Sequence, residues 1–216
     1  MALLQKFITF FVSSGLVALA VAADSSTRYS IESQKSKIEI QVAREGFFKA
    51  FGHDHLLSAP QFSGEIRLDQ AKLEESSVNL TIDAKSLTVV DPGESEKDRK
   101  EVQNTMLGEQ VLDVARYPQI RFSSSSVKVT SGKKDLYQLQ VGGTLSLHGT
   151  KKPCSLPVRL QIEQDNTLSA YAEVSLLQTD FGITPIKVAG GTVRVKDKLK
   201  LAFHILASKA SAEPAK

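Results

Sequence analysis

Apolar and polar positions alternate from Leu136 to Ile162 with a period of two. Tyr137, Leu139, Val141, Leu145 and Leu147 fall on one face, and Gln138, Gln140, Thr144, Ser146 and His148 on the other. After Gly149-Thr150-Lys151-Lys152-Pro153 the rhythm resumes on even positions, with Cys154, Leu156, Val158, Leu160 and Ile162 apolar and Ser155, Arg159 and Gln161 polar. Such alternation predicts two half-buried strands joined as a hairpin by a short polar loop. Two strands leave their apolar face bare, so the rest of the chain must close over it.

The remaining pattern supplies that cover. After a polar spacer, Lys37 to Val42 places Ile38, Ile40 and Val42 on one face and predicts the first core strand. Arg44 to Gln61 breaks the rhythm, crowding Phe47, Phe48 and Phe51 beside Gly52-His53-Asp54-His55, and carries no assignment. From Phe62 to Leu68, Phe62, Gly64, Ile66 and Leu68 share a face, the glycine leaving room for a neighbouring chain or a ligand. Ser77 to Val89 reads as the third strand, with Val78, Leu80 and Ile82 inward, and Asp91-Pro92-Gly93 as a turn. Ser95 to Leu107 is the one good helix: Ser95 caps, Glu96 and Asp98 sit in the first turn, Val102 and Met106 share an edge, and Gly108 stops it. Ile120 and Phe122 are followed by Val127 and Val129 on the opposite parity, so a bulge is expected in the serine run Ser123 to Ser126. Leu168, Ala170, Ala172, Val174 and Leu176 form one more strand, and Val193, Val195, Leu199, Leu201, Phe203 and Ile205 the last. About eight long antiparallel strands, mostly joined by short turns, predict an all-β, up-and-down β-barrel with the helix covering one end.

Composition narrows the function classes. The start, residues 1–23, has one charge at Lys6, an apolar run from Phe7 to Val21 and small residues at Ala18, Ala20 and Ala22, the pattern of a cleaved secretory signal peptide. That predicts a barrel domain over 24–206, periplasmic or secreted, with 207–216 as a disordered tail of small and polar residues. A net charge of +3 across 216 residues is too balanced to point to nucleic acid. Cys154, the only cysteine, reads as a small buried hydrophobe and allows no internal disulfide.

Motifs of catalysis are missing: there is no G-x-S-x-G, P-loop, C-x-x-C or H-E-x-x-H. Ser146 and His148 share a wet face without an orienting acid, so the chain is read as no enzyme. Lys196, Lys198 and Lys200 form a basic stripe compatible with a transient membrane-surface contact, although a solvated strand face accounts for it too. His53 and His55, two apart, would point the same way on an extended segment and could meet one metal ion or haem iron. Two histidines do not complete a metal site, so a hydrogen-bonded loop pair is the simpler reading and no metal is assigned.

Four ordered segments add a resemblance. Ser77-Val78-Asn79-Leu80-Thr81-Ile82-Asp83, Leu112-Asp113-Val114-Ala115-Arg116-Tyr117-Pro118 with Ile120 and Phe122, Gly143 through Pro153, and Asp180-Phe181-Gly182-Ile183 make the chain resemble, nearly end to end, the YceI-like family of secreted, lipocalin-like proteins. One departure stands out, since family members carry a His near the end of the first strand where this chain has Arg44. The resemblance implies an extended barrel that holds an isoprenoid-type amphiphile, polyprenyl or quinone-like, in its apolar interior. The pattern supplies the lining: Ile38, Ile40, Val42, Phe48, Phe51, Phe62, Ile66, Val78, Leu80, Ile82, Phe122, Leu145, Leu147, Val158, Leu160, Val174, Leu201 and Phe203. Burying a hydrocarbon there gains roughly 25 cal/mol per Å² without specific polar contacts. His53 and His55 are the candidate head-group contacts. The competing function is a metal- or haem-dependent redox accessory protein using the same two histidines.

Overall fold

The computed structural model describes residues 25–45, 54–92, 94–165, 167–188 and 193–211. The strands are, in order, β1 (Thr27–Ile31), β2 (Lys37–Val42), β3 (Arg44–Glu45), β4 (His55–Ser58), β5 (Phe62–Leu68), β6 (Ser77–Asp83) and β7 (Thr88–Val89). Helix α1 (Glu96–Leu107) follows, then β8 (Gln119–Lys133), β9 (Leu136–Leu147), β10 (Thr150–Ile162), β11 (Leu168–Leu177), β12 (Lys187–Val188), β13 (Val193–Val195) and β14 (Lys198–Lys209).

Antiparallel pairing runs β1-β5-β6-β8-β9-β10-β11-β14, and β14 returns to β1, so eight strands close a barrel in chain order. β14 also pairs with β2, which continues through β4 to β7. Three successive barrel strands are therefore two-part: β1 breaks into β2 at the 3-10 turn Ser33–Lys35, β4 into β5 at residues 59–61, and β6 into β7 at the 3-10 turn Ala84–Ser86. The breaks lie at one level, tied across by Ala59 N–H to Ile38 O (3.1 Å) and Asp83 N–H to Gln61 O (2.9 Å). A single strand was expected from Ser77 to Val89; the turn after Asp83 changes the inward parity from even (Ile82) to odd (Leu87, Val89).

β7 pairs with β4 but not with β8, and α1 occupies the space between. There the Gln103 amide stands in for a missing strand: Val89 N–H donates to Gln103 Oε1 (2.8 Å), and Gln103 Nε2 donates to Leu87 O. Ser95 caps the helix by accepting from Asp98 N–H (3.1 Å), and Gly108 ends it, as expected. Met106 is buried against Leu57, Leu87 and Val89, so the apolar edge does cover one barrel end.

The expected organising hairpin forms, with Leu139 facing Val158 and Val141 facing Leu156. Its loop is shorter than predicted: Leu147 pairs with Thr150, leaving only His148 and Gly149, with φ of 50° and 73°. Two positive φ values suit a two-residue primed turn that follows the strand twist, and Lys151-Lys152-Pro153 join the strand. The expected bulge in β8 is present, since Ser124 faces Gly143 and Ser126 faces Gly142. Gly64 makes room for a neighbouring chain, because a Cβ there would lie 2.5 Å from Asn79 O and 2.6 Å from Ile31 Cδ1.

Two corrections concern the ends. The spacer before Lys37 contains β1, whose Tyr29 is 2% exposed. The stretch read as a tail from Ala207 begins inside the barrel: β14 reaches Lys209, Ala207 is 1% exposed, and Ile31, Ser30 and Tyr29 pair with Ala207, Ser208 and Lys209. Residues 1–24 and 212–216, with the expected signal peptide and the second half of the expected tail, lie outside the described residues.

Tyr29, Leu68, Leu73, Leu160, Ile162, Leu168 and Ala207 pack one end solid. Replacing the fully buried Leu168 by Ala should cost about 2–5 kcal/mol, whereas Thr144→Glu on the outer face should change stability by less than about 0.5 kcal/mol. Urea denaturation of both variants checks this, and equal losses would invert the inside–outside assignment.

Candidate functional site

The alternation that closes the barrel also leaves it hollow beyond the packed end. A cavity of about 830 Å³ runs through the interior toward the end covered by α1, within the upper part of the roughly 300–1,000 Å³ typical of small-molecule sites. Ile38, Ile40, Val42, Ile66, Val78, Leu80, Ile82, Phe122, Leu145, Leu147, Val158, Leu160, Val174, Leu201 and Phe203 all line it, as the pattern predicted. Phe62 does not. It is buried opposite Ile82 at the level of the breaks, packed in the wall with Leu57 and Ala59. Phe48, Phe51 and His53 lie outside the described residues.

Further lining comes from outside the strands that the pattern predicted, including Ile31 of β1. Leu57 and Leu87 flank the breaks, Val102 and Met106 come from the helix, and Phe181 and Ile183 from the turn after β11. Cys154 also lines the cavity, where burial pushes its thiol above the usual value, opposed by a hydrogen bond from the Leu145 backbone.

Polar groups gather at the mouth, beside the start of α1. His55 Nδ1 lies 2.6 Å from Asp91 Oδ2, while Leu56 N–H donates to Asp91 Oδ1. Glu94 Oε1 is 3.8 Å from the same imidazole nitrogen. Asp91 is only 3% exposed, so two protein donors offset the cost of burying its charge. His55 thus meets a carboxylate 36 residues away, where the sequence pattern had paired it with His53. Asp-Pro-Gly is turn chemistry, and nothing in it distinguishes a buried acceptor from an ordinary turn aspartate.

Arg44 stands beside this pair and lines the cavity. Its backbone N–H donates to Asp54 Oδ1 (3.0 Å), and its side-chain Nε and Nη2 are buried without a hydrogen-bond partner among the described residues. Burial lowers the guanidinium pKa, and the Glu94, Asp54 and Asp91 carboxylates oppose that fall. The mouth therefore offers donors from Arg44 inside a ring of acids.

One nitrogen and two carboxylates, from His55, Asp91 and Glu94, come within 4.8 Å of one another and could hold a metal ion. That donor set suits zinc. Asp91, however, already uses both oxygens on Leu56 and His55, so an ion would have to replace existing bonds. The other described histidines are committed elsewhere: His148 sits in the β9–β10 turn with Nδ1 3.2 Å from Phe181 O, and the His204 ring packs tilted against Tyr171, centroids 4.7 Å apart. Ser146 and His148 make no nucleophile–base pair.

Segments far apart in sequence converge on this rim. The Tyr117 ring meets His148 edge-on at 4.8 Å and occupies the space a side chain at Gly149 would need. Leu147, Phe181 and Ile183 form one buried cluster with Leu112 packed against it.

The sequence profile of the YceI-like domain matches residues 29–207. Protein YceI of Salmonella arizonae is 25% identical over 185 residues, covering 83% of this chain and 87% of that protein. Among solved structures, Burkholderia cenocepacia BcnA superposes with a TM-score of 0.66 at 22% identity, over 82% of this chain and 99% of that one. A Saccharophagus degradans domain described as polyisoprenoid-binding and implicated in plant cell wall breakdown reaches 0.60 at 13% identity, over 84% and 98%. At these identities the two structures speak for the fold.

Asp91→Ala should remove two acceptor bonds at a buried position and destabilise the protein by about 2–4 kcal/mol. Hydrogen exchange should show the Leu56 amide losing protection. An unchanged Leu56 amide would mean that the pair does not hold β4.

Proposed function

The chain belongs to the YceI-like family, and we propose that its barrel binds or carries an isoprenoid-type amphiphile, with the tail in the cavity and the head at the mouth. The observation that carries this reading is a continuous cavity of about 830 Å³ walled by aliphatic and aromatic side chains. An apolar wall offers water few partners and hydrocarbon many. Arg44 supplies hydrogen-bond donors at the mouth, where a head-group oxygen would rest. The polyisoprenoid-binding description of the S. degradans domain agrees with a long apolar ligand. In this reading the protein acts by binding rather than catalysis, and the apolar leader from Phe7 to Val21 exports it to the periplasm or beyond.

A second reading rests on the His55, Asp91 and Glu94 cluster: a metal-dependent accessory role at the same mouth. Native mass spectrometry with organic extraction separates the two, since a co-purified hydrocarbon-tailed lipid supports the first and a bound metal or porphyrin without lipid overturns it. Filling the cavity by Val158→Trp should lower lipid content at least tenfold while the barrel still melts cooperatively; undiminished lipid would place the tail elsewhere. Because burial raises the Cys154 pKa, its thiolate is scarce at pH 8. Alkylation should be slower there than for a free thiol, accelerate as pH rises toward the raised value, and slow further when lipid fills the cavity.

A further inference from the structure

The barrel is closed in strand order but not along its whole height. β10 pairs with β9 from Thr150 to Gln161, and β11 with β14 from Leu168 to Leu177. Between them the ladder covers only Val158–Ala172 through Ile162–Leu168. Residues 150–157 of β10 and 173–177 of β11 thus face each other without a ladder. If the register continued, Pro157 would meet Glu173, Ser155 would meet Ser175, and Pro153 would meet Leu177. Both prolines lack the N–H that a ladder needs.

This gap is bounded on both sides. Toward the packed end the ladder resumes at Val158; toward the mouth His148 Nδ1 meets Phe181 O at 3.2 Å. Inward Leu156 and Val174 are half-buried here, whereas Leu160 and Ala172 just beyond are buried. The cavity is lined at this height by outward-facing residues as well, namely Pro153, Ser155 and Ser175. Along the unpaired stretch the cavity thus meets residues of both faces of the wall.

Free edges invite pairing with other chains, and prolines and lysines blunt them. Pro153, Pro157, Lys151 and Lys152 all lie on the unpaired part of β10, so the sequence keeps this edge from zipping shut. On the other side, Leu177 is 40% exposed, and Lys198 and Lys200 pair with Leu177 and Ser175 on the outer face. Acids on this face are held by neighbours: Glu173 accepts from Tyr171 OH, and Asp197, next to Lys198, accepts from Thr179 N–H and OH.

Resting on the tail-binding reading, we infer that the β10–β11 gap is a lateral portal through which the ligand's apolar tail passes, with this lysine-flanked face turned to an anionic bilayer. Sideways entry lets the tail leave hydrocarbon for hydrocarbon while the polar head stays at the mouth. End-on entry would take the tail past α1, Arg44 and the acids beside His55.

The test locks the gap. In a Cys154→Ser background, Ser155→Cys with Ser175→Cys is oxidised, and uptake of a fluorescently labelled geranylgeraniol is followed from phosphatidylglycerol and phosphatidylcholine vesicles. The locked pair should slow uptake and release at least tenfold, reversibly with reductant, at unchanged equilibrium occupancy. Should the disulfide not form, a bulky maleimide on Ser155→Cys alone should slow exchange likewise. Gln103→Ala, which loosens α1, should leave the rate unaltered. Uptake should be faster from phosphatidylglycerol, and Lys198→Glu with Lys200→Glu should abolish that preference. Normal binding with rates indifferent to the lock, or accelerated by Gln103→Ala, overturns the portal alone. Equal uptake from both vesicles overturns its orientation, and no probe binding at all overturns the tail-binding reading with it.

Discussion

A sheet with one apolar face has two loose edges until its last strand finds its first, and here everything rests on β14 making that meeting. One edge of β14 pairs with β11 from Lys198 to Ala207; the other is shared between β2, at residues 200–204, and β1, at residues 207–209. Sharing one long strand between two shorter ones requires the break at residues 32–36, where Glu32 N–H donates to Leu206 O and Ser36 hydroxyl accepts from Leu206 N–H. The neighbouring strands break at the same level, and their upper parts turn away from β8. Closure therefore creates its own defect, an unpaired β7 edge, and Gln103 of α1 fills it with one donor and one acceptor. The helix is held by backbone accounting as well as by Met106 packing.

That dependence explains what could be read from the sequence. Alternation fixes which face of a strand is buried, and Leu139, Val141, Leu160 and Leu168 are where the pattern put them. It does not report which strand pairs with which. β1, Thr-Arg-Tyr-Ser-Ile, has too few apolar residues to stand out, yet Tyr29 is among the most buried side chains because it lies under the closing strand. Ala207 sits at the start of a small, polar terminus and is buried for the same long-range reason. The break at Ala84–Ser86 did leave a trace in the parity change between Ile82 and Leu87, which a strict reading of period two would have caught.

The candidate site divides along the same line. Much of its apolar wall was legible because residues such as Ile40, Leu80 and Leu145 are beats of an alternation, whereas Leu57, Met106 and Phe181 are not. Its polar mouth was not, because Arg44, His55 and Asp91 are brought together by the pairing of β2 with β4 and β4 with β7, and no local pattern encodes that. The segments that carried the family resemblance lie mostly at this rim, with Tyr117 on His148 and Phe181 beside Leu147. Aliphatic wall positions tolerate exchange among Val, Ile and Leu at small cost. A rim of turns with positive φ at Asp113 (44°) and His148 (50°) is less forgiving of substitution.

The size of that volume constrains what fills it. If about 830 Å³ of apolar space were sealed and empty, the cavity coefficient of about 24 cal/mol per Å³ would give a penalty near 20 kcal/mol. That exceeds the roughly 5–15 kcal/mol by which a domain is normally stable. The fold is tenable only because the space communicates with its surroundings or holds something. Water alone satisfies this poorly, since the polar groups lie at one end and an apolar wall leaves interior water short of partners. Hydrocarbon satisfies it along the whole length, restoring the dispersion contacts that a void forfeits. Occupancy and stability are then the same quantity seen from two sides: a tail that binds the folded barrel and not the unfolded chain stabilises it by mass action. The unzipped stretch between β10 and β11 fits this economy of forces, because a barrel whose core arrives after folding needs a way in that does not cost its closure at β14.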